Sequence, residues 1–314
     1  MNAPEPEARA APPRFSIIIT FYNQRNFIKD AVDSALAQQS AGFEVIVVDD
    51  ASTDASQEIL KQYSDAVQLV CLETNQGACA ARDRGASLAT GDYLVFLDGD
   101  DAFLPWALDV YERIVQAKQP KMILGTMSWF EGALPAVKPG DTPQEITMVD
   151  YSDYLRRDRS FGNSASALIV ARQAFEDVHG WLTSFFPAED HDFALRLGAS
   201  GRTIQILGPA TILHRAHANN TINNVSACMA GVDNLVRRER LGDYPGGAHR
   251  SLDRHAVIGG AIIHWTKTAI KSGMYSDAIR FLARGWPMVL AALARRFWAI
   301  LSGRKPCEII KMSI

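Results

Sequence analysis

The sequence predicts an α/β fold, with a mostly parallel central sheet flanked by helices and a helical C-terminal extension. Short, continuous apolar runs recur through the N-terminal third and are typical of strands buried on both faces. Segments with helical spacing separate these runs by short connections, which indicates right-handed βαβ units. The 314 residues are 47% hydrophobic and 21% charged, which is ordinary for a soluble protein and excludes collagen, disulfide scaffolds and wholly disordered chains.

The N-terminal elements alternate regularly. The β-branched runs FSIIIT and FEVIVV predict the first two strands, and YLVFL predicts the fourth. Between them, apolar residues recur at helical spacing from Phe27, Asp54 can cap a second helix, and an Ala-rich helix follows Gly77. The strands predicted for this half are residues 15–20, 43–48, 67–72 and 93–97.

Beyond about residue 120 the alternation ends. We expect a Pro- and Gly-rich loop at 132–143 and a helix at 192–199. From about residue 224 the apolar spacing is helical, with a Gly/Pro break at 242–247. Further short strands are predicted at 122–127, 165–170, 203–206 and 211–213.

Charge and cysteine content narrow the function classes. The 32 Lys and Arg against 35 Asp and Glu give a formal charge of −3, which offers no electrostatic case for nucleic acid as a partner. The four cysteines fall in no zinc-ligand pattern, so we expect the reduced thiols of a cytoplasmic protein. Residues 1–13 are rich in Pro, Ala and Glu and have no apolar core segment, which predicts a disordered tail rather than a signal peptide.

Acidic residues gather where the predicted strands end, and ligands bind open α/β sheets at that edge. Asp49 and Asp50 end the second strand, and the fourth strand ends in Asp98, Asp100 and Asp101. Three carboxylates in four residues repel one another, so they need either water, as in a solvated turn, or a hard cation such as Mg²⁺ or Mn²⁺. The end of a buried strand beside a second Asp pair favours the metal.

Other phosphate-binding classes fit less well. Receiver domains of the flavodoxin-like fold also carry paired aspartates, but after the first strand, and they would leave residues 120–222 unused. The sequence has no GxGxxG and no GxxxxGK[ST], so dinucleotide and P-loop sites lack support.

Two polar clusters follow in the second half. The acidic residues 189–192 (EDHD) precede an apolar helical segment, a position that the helix dipole also favours without any catalytic role. His214 and His217, with Arg215 between them, could bind a metal and a phosphate, although a lone histidine is more often structural.

Together these motifs resemble the inverting glycosyltransferases of family 2, which have the GT-A fold. The resemblance spans about two thirds of the chain and leaves residues 225–314 without a matching motif. The segments that carry it are SIIITFYNQ at 16–24, VIVVDDASTD at 45–54, NQGACAARDRGASLATGDYLVFLDGDD at 75–101, PAEDHDFALRL at 187–197 and HRAHANNTINN at 214–224.

The resemblance implies a nucleotide-sugar donor, with a UDP-sugar expected. Thr20 and Tyr22 would line the nucleotide pocket. Asp50 would accept the N3–H of uracil with Asp49 in support, and Arg82 would lie near the diphosphate.

The resemblance also implies a divalent cation, Mn²⁺ or Mg²⁺, which would offset the charge of the leaving diphosphate as a Lewis acid. Asp98 and Asp100 would form the DxD pair, with Asp100 the direct metal ligand and Asp98 nearer the ribose. His217 would complete the metal shell, and Arg215 would steady the diphosphate.

Glu189 and Asp190 match the ED motif of the family. Asp190 would be the general base that takes the proton of the acceptor hydroxyl. Glu189 and Asp192 would begin the helix or position the acceptor. Asp83 stands where the family often has Asn, and its extra negative charge could alter acceptor contacts or simply face solvent, so its role is left open.

The expected enzyme is an inverting hexosyl- or N-acetylhexosaminyltransferase of bacterial cell-surface glycan synthesis, with a glycan, lipid-linked or protein acceptor. Residues 14–222 would form the GT-A domain, with a nucleotide-sugar half at 14–118 and an acceptor half at 119–222, and 223–314 the helical extension. The alternatives are a nucleotidyltransferase, which would want a Gly-rich basic loop after the first strand, and a non-catalytic binding module, against which the intact motifs argue.

The segment Trp286–Leu301 is the nearest approach to a transmembrane helix, but Arg295 and Arg296 interrupt it. Two tryptophans, aliphatic residues and these arginines are typical of a helix that lies in a membrane interface. Such a helix would place the protein on the inner face of the cell membrane. The alternative, a helix that packs on the GT-A domain or on a second subunit of a homo-oligomer, stays open.

Overall fold

The computed structural model describes residues 15–40, 42–138, 141–156, 164–198, 201–302 and 307–314. The tail expected at 1–13 lies outside these ranges, as do two residues of the loop expected at 132–143 and the last residue of the helix expected at 192–199.

The described ranges form strands and helices in an order that begins with the predicted alternation. The strands are β1 (Phe15–Phe21), β2 (Phe43–Asp49), β3 (Gln68–Cys71), β4 (Tyr93–Asp98), β5 (Ala102–Phe103), β6 (Met122–Leu124), β7 (Met127–Phe130), β8 (Glu145–Tyr151), β9 (Leu168–Ala171), β10 (Thr203–Gly208), β11 (Ile212–Arg215) and β12 (Ile309–Ser313). The α-helices are α1 (Ile28–Leu36), α2 (Ser56–Leu60), α3 (Ala78–Leu88), α4 (Ala107–Lys118), α5 (Arg172–Asp177), α6 (Glu189–Leu197), α7 (Val225–Leu241), α8 (Ser251–Lys271) and α9 (Tyr275–Leu301).

The strands form a nine-stranded sheet, in the order β12-β8-β10-β6-β9-β4-β1-β2-β3, and a three-stranded sheet, β5-β11-β7. In the large sheet β1 is parallel to both β2 and β4, and β3 continues the parallel set beyond β2. β9 then runs antiparallel between β4 and β6, and β8 runs antiparallel to β10 and β12. The predicted parallel unit is therefore present, and the antiparallel strands belong to the half where the predicted alternation ends.

Helices cover both faces of the parallel strands, which is why every residue of β1 is buried. On one face, Ile28 and Val32 of α1 join the core around Ile17. On the other face α3 approaches the sheet at Gly85, where a Cβ would lie 2.4 Å from Cγ2 of Ile18. The absence of a side chain at Gly85 thus sets the distance between α3 and the sheet.

The C-terminal helices have a core of their own, centred on residues such as Val232, Ile258 and Phe281. α8 and α9 run antiparallel in close contact, because a Cβ on Gly259 would fall 1.9 Å from the carbonyl oxygen of Met288. Among the described residues, none of the helices combines the length and apolarity that crossing a bilayer requires.

The structure corrects the prediction that the chain is helical throughout 223–314, because β12 pairs with β8 at the edge of the large sheet. Neither strand was predicted. Polar residues interrupt β8, and in β12 exposed residues alternate with half-buried ones, so neither shows the continuous apolar run that marks a buried strand.

Candidate active site

β1, β2 and β4 end at one edge of the sheet and bring the predicted acidic residues together. In the parallel register Phe21 pairs with Asp49 and Thr20 pairs with Asp98, so the two aspartates flank the end of β1. Tyr22 follows directly and is 45% exposed at this edge. The edge is therefore the floor of the candidate site.

Asp49 and Asp50 hold the neighbouring loops in place. The carboxylate of Asp50, which is buried, accepts the backbone N–H of Gln76 at 2.7 Å and of Gly77 at 2.8 Å. Asp49 accepts the side-chain amide of Gln57 at 2.5 Å. These bonds fix the loops that follow β2 and β3, which would frame a nucleoside at this edge.

Arg82, from α3, is buried between two carboxylates. One terminal nitrogen lies 2.7 Å from Asp98 and the other 2.9 Å from Glu189. Burial works against the charge of Arg82, but the two carboxylates outweigh it and raise its pKa. Burial also raises the pKa of Glu189, which Arg82 opposes. The triad fixes the start of α6 against the sheet edge.

Asp100 and His217 face each other although they are far apart in sequence. Nε2 of His217 lies 2.9 Å from Oδ2 of Asp100, and the imidazole stacks on Phe27 with ring centroids 4.9 Å apart. Burial, followed by the charges of Asp101 and Asp98, raises the pKa of Asp100 to about 6. A carboxylate and an imidazole thus meet where negative charge is crowded.

This pair suits a divalent cation, because Mn²⁺ and Mg²⁺ accept carboxylate oxygen and Mn²⁺ also accepts imidazole nitrogen. Besides burial, the charges of Asp101 and Asp98 raise the pKa of Asp100, and a cation would offset those charges. Within the described ranges, no group of three or more His, Cys, Asp or Glu side chains converges on one point. Asp100 and His217 are the residues that could hold a cation at this edge.

The surroundings of Asp101 are not the solvated turn that the sequence offered as one explanation of the three carboxylates. Asp101 is fully buried. Its carboxylate lies 2.9 Å from Nδ1 of His214 and accepts the backbone N–H of Arg215 at 3.1 Å. Burial lowers the pKa of His214, but the hydrogen bond and charge of Asp101 outweigh it, so this pKa is raised overall. Asp101 therefore anchors the strand that leads to His217.

Arg215 is packed rather than free. Its guanidinium lies between the rings of Phe27 and Phe130, at 4.9 Å and 4.6 Å. It donates to the carboxylate of Asp30 at 2.7 Å and to the carbonyl of Asp100 at 3.1 Å. These contacts lock the loop against α1, and a role beside the leaving diphosphate stays a prediction.

Asp190 lies at the start of α6 and is held by its neighbour His191, whose backbone nitrogen and Nδ1 lie 2.6 and 2.8 Å from Oδ1. Both contacts use Oδ1, and the role of Asp190 as the base stays a prediction. Asp192 is fully buried and binds Arg196 at 2.7 Å and the hydroxyl of Tyr244 at 2.9 Å. Those contacts are structural, and its acceptor role stays a prediction that they do not support.

Sequence reasoning missed three residues of the site. His191 had a usable signal, since it stands beside the candidate base. Asp30 had none, because an acidic residue in the first turn of a helix is ordinary. Asn220 accepts the backbone N–H of His217 at 2.5 Å and donates to the carbonyl of Arg215 at 3.1 Å. Only the folded loop reveals that role.

An open cleft of about 750 Å³ lies beside this loop, between the segment after His217 and the turn before α9. Among the described residues that line it, none has an ionisable side chain. They are Phe186, Ala218, Asn219, Asn220, Thr221, Asn223, Asn224, Val225, Ser226, Ala227, Ser272 and Met274.

The chain belongs to glycosyltransferase family 2. The sequence model described as Glycosyl transferase family 2 matches residues 16–178, just over half of the 314 residues. The match includes the sheet edge, Arg82 and the DxD segment, and it ends before α6.

Among relatives, the chain is similar to TuaG of Bacillus subtilis, named as a glycosyltransferase of teichuronic acid biosynthesis. The two are 41% identical over 104 residues, which is 32% of this chain and 40% of TuaG. The chain thus matches well under two thirds of that relative.

Solved structures show the fold across nearly the whole chain. S. aureus TarS in complex with UDP aligns with a TM-score of 0.57 at 16% identity, covering 93% of this chain and 92% of the TarS chain. The mannosyltransferase PcManGT from Pyrobaculum calidifontis, in complex with GDP-Man and Mn²⁺, aligns with a TM-score of 0.54 at 18% identity, covering 92% and 88%. The protein therefore has the GT-A transferase fold.

Proposed function

We propose that the protein is an inverting, divalent-cation-dependent glycosyltransferase. It would move a sugar from a UDP-sugar to an acceptor hydroxyl in bacterial cell-surface glycan synthesis, at the cytoplasmic side of the membrane. The observation that carries the proposal is the Asp100–His217 contact of 2.9 Å at the sheet edge of a family 2 chain. The teichuronic acid name of TuaG supports the cell-surface assignment.

The donor would lie along the edge formed by β1, β2 and β4. Thr20 and Tyr22 would line the nucleoside pocket, with Asp50 accepting from the base and Asp49 supporting it. Asp98 would lie nearer the ribose, and UDP bound to TarS supports a uridine donor.

Asp100 and His217 would hold the cation, and Mn²⁺ in PcManGT supports that cofactor. When bound, the cation supplies Lewis-acid stabilisation of the leaving diphosphate. Arg82, whose guanidinium is held by Asp98 and Glu189, would lie near the diphosphate. Arg215 would also lie beside the diphosphate, and its contacts hold the loop that leads to His217.

Asp190 would remove the proton of the acceptor hydroxyl as it attacks. The contact of His191 with Oδ1 supports this role, because it would hold the carboxylate in one orientation. Inversion needs one such base on the face of the sugar opposite the leaving group, and a cation held by Asp100 and His217 would supply the stabilisation that a general acid otherwise gives. Glu189, paired with Arg82, would set the position of Asp190 relative to the donor.

The acceptor would enter through the uncharged cleft beside the His217 loop. Asn219, Thr221 and Ser226 expose amide and hydroxyl groups there, and Phe186 exposes an aromatic face. Sugar hydroxyls and ring faces match such a lining, whereas an anionic sugar would find no cationic side chain among its described residues. This lining favours a neutral sugar as the acceptor unit.

The test is UDP release from a panel of UDP-sugars, with and without Mn²⁺, in the presence of neutral and anionic oligosaccharide acceptors. We expect release that requires both the metal and a neutral acceptor. Pyrophosphate release from a nucleoside triphosphate and a sugar phosphate would support the nucleotidyltransferase instead. Donor binding without turnover on any acceptor would support the non-catalytic module.

A further inference from the structure

The outer face of α9 carries a continuous apolar stripe that no described part of the chain covers. The buried residues of α9, such as Phe281, Gly285 and Met288, face α8 and lie on the opposite side of the helix. Each stripe residue is at least 48% exposed. The stripe consists of Tyr275, Ile279, Trp286, Leu290, Leu293, Phe297, Ile300 and Leu301.

The stripe is narrow and has arginine beside it. At about 100° per residue, its members fall within a sector of roughly 100° around the helix axis. Arg280 projects on one side of this sector, together with the exposed Trp298, and Arg296 projects on the other. Arginine at the border of an apolar face can keep its stem against hydrocarbon while its head reaches phosphate.

The surrounding helices are cationic in an acidic protein. From Val225 to Leu301 there are 11 Lys and Arg against 5 Asp and Glu, a formal +6, whereas the whole chain carries −3. The remainder of the chain therefore carries −9. This separation of charge favours a negatively charged surface as the occupant of the stripe, and it disfavours a second copy, whose identical helix would bring the same positive charge.

We infer that the α9 stripe is the surface by which the protein lies on an anionic lipid membrane. The helix would rest in the plane of the interface, with Trp286 and Trp298 at headgroup level and the arginines on lipid phosphates. The stripe starts at Tyr275, directly after Ser272 and Met274 of the cleft, so docking would also bring the cleft to the membrane surface. This last point rests on the proposed function, but the docking itself does not.

The test is flotation of the full chain with vesicles of phosphatidylcholine, with and without phosphatidylglycerol. The wild type should float with the anionic vesicles, far less with the neutral ones, and less as salt is raised. The double variant Trp286→Glu/Phe297→Glu should bind at least about tenfold more weakly, because two aromatic groups that would be buried in the lipid are lost. Its unfolding midpoint should match the wild type, since both positions are exposed.

The matched control is Val137→Glu/Leu241→Glu, which adds the same charge at exposed apolar residues outside α9 and should float like the wild type. Wild-type protein that stays at the bottom with anionic vesicles would overturn the inference. So would a dimer, measured by light scattering, that the Trp286→Glu/Phe297→Glu variant converts to a monomer. Neither result depends on transferase activity.

Discussion

Asp83 gains a role from its contacts. The carboxylate accepts the backbone N–H of Trp181 at 2.9 Å, and a Cβ on Gly180 would meet it at 2.5 Å. Burial raises the pKa of Asp83 to about 6, although the hydrogen bond and nearby arginines lower it. Asp83 therefore ties α3 to the turn before α6, a structural task rather than an acceptor contact.

The raised pKa of Asp83 makes a prediction about stability. A carboxyl group that binds its proton more tightly in the folded state is a cost when ionised, so the cost is present above pH 6 and absent well below it. Asp83→Asn keeps an oxygen for Trp181 and removes the charge. Its thermal midpoint should exceed that of the wild type above pH 6, and the gap should close as the pH falls from about 6 towards the ordinary 3.8. A variant that is less stable at every pH would show that the charged hydrogen bond outweighs the cost of burial.

Substitution of Asp190 should lower the rate of transfer and leave the affinity for the donor nearly unchanged. Asp190→Asn keeps the shape and removes the basicity, so transfer should fall on the order of 10²–10⁴-fold while affinity for UDP with metal changes little. Steady-state rates and UDP titrations measure the two effects. A nearly normal rate would mean that another group takes the proton.

Asp192→Asn is the control for Asp190, because it changes the same helix at a fully buried position. It leaves the guanidinium of Arg196 without its partner carboxylate. Breaking a buried ion pair typically costs about 3–5 kcal/mol, so this variant should lose thermal stability where Asp190→Asn does not.

At the scale of elements, the packing of α3 on β1 gives a direct test. Gly85→Ala places a methyl group 2.4 Å from Ile18 and 3.3 Å from Val48, both in the buried sheet. Overpacking of this kind typically costs about 1–3 kcal/mol, which chemical denaturation would measure. Gly260→Ala is the control, since nothing lies within 4 Å of its added Cβ, and it should stabilise α8 by up to about 1 kcal/mol. Equal effects of the two changes would contradict the close approach of α3.

The sequence predicts those elements whose signal is local. β1, β2 and β4 are continuous apolar runs, and their acidic ends are visible in the chain itself. β8 and β12 pair across more than half of the chain, and β5 has two residues, so no local pattern marks them. Residues 122–127, predicted as one strand, divide between the two sheets as β6 and β7.

The same limit applies to the site. The proximity of Asp49 and Asp98 could be predicted from the parallel sheet, because parallel strands end at the same edge. The meeting of Asp100 with His217, 117 residues on, was available only through the family resemblance. The support from Asp30 and Asn220 was not available at all, since these polar residues look ordinary in sequence. Asp101 stood out in the acidic cluster, but its contacts with His214 and Arg215 did not follow from it.

At the scale of the whole molecule, the site and the membrane face occupy regions of opposite charge. The GT-A part holds the acidic edge that a cation would complete, and the C-terminal helices carry the positive charge. The division near residue 222 stays a proposal about folding units, but the charge separation stands on the sequence alone.

The central claim is that Asp100 and His217 hold a cation that donor binding requires, and thermal unfolding with UDP tests it most directly. UDP should raise the midpoint of the wild type only when Mn²⁺ or Mg²⁺ is present, through ligand linkage of roughly 2.7 kcal/mol at a hundredfold excess over Kd. Asp100→Ala should abolish that shift, whereas Asp109→Ala, at an exposed carboxylate on α4, should retain it. A full metal-dependent shift in Asp100→Ala, or a shift in the wild type without metal, would contradict the account.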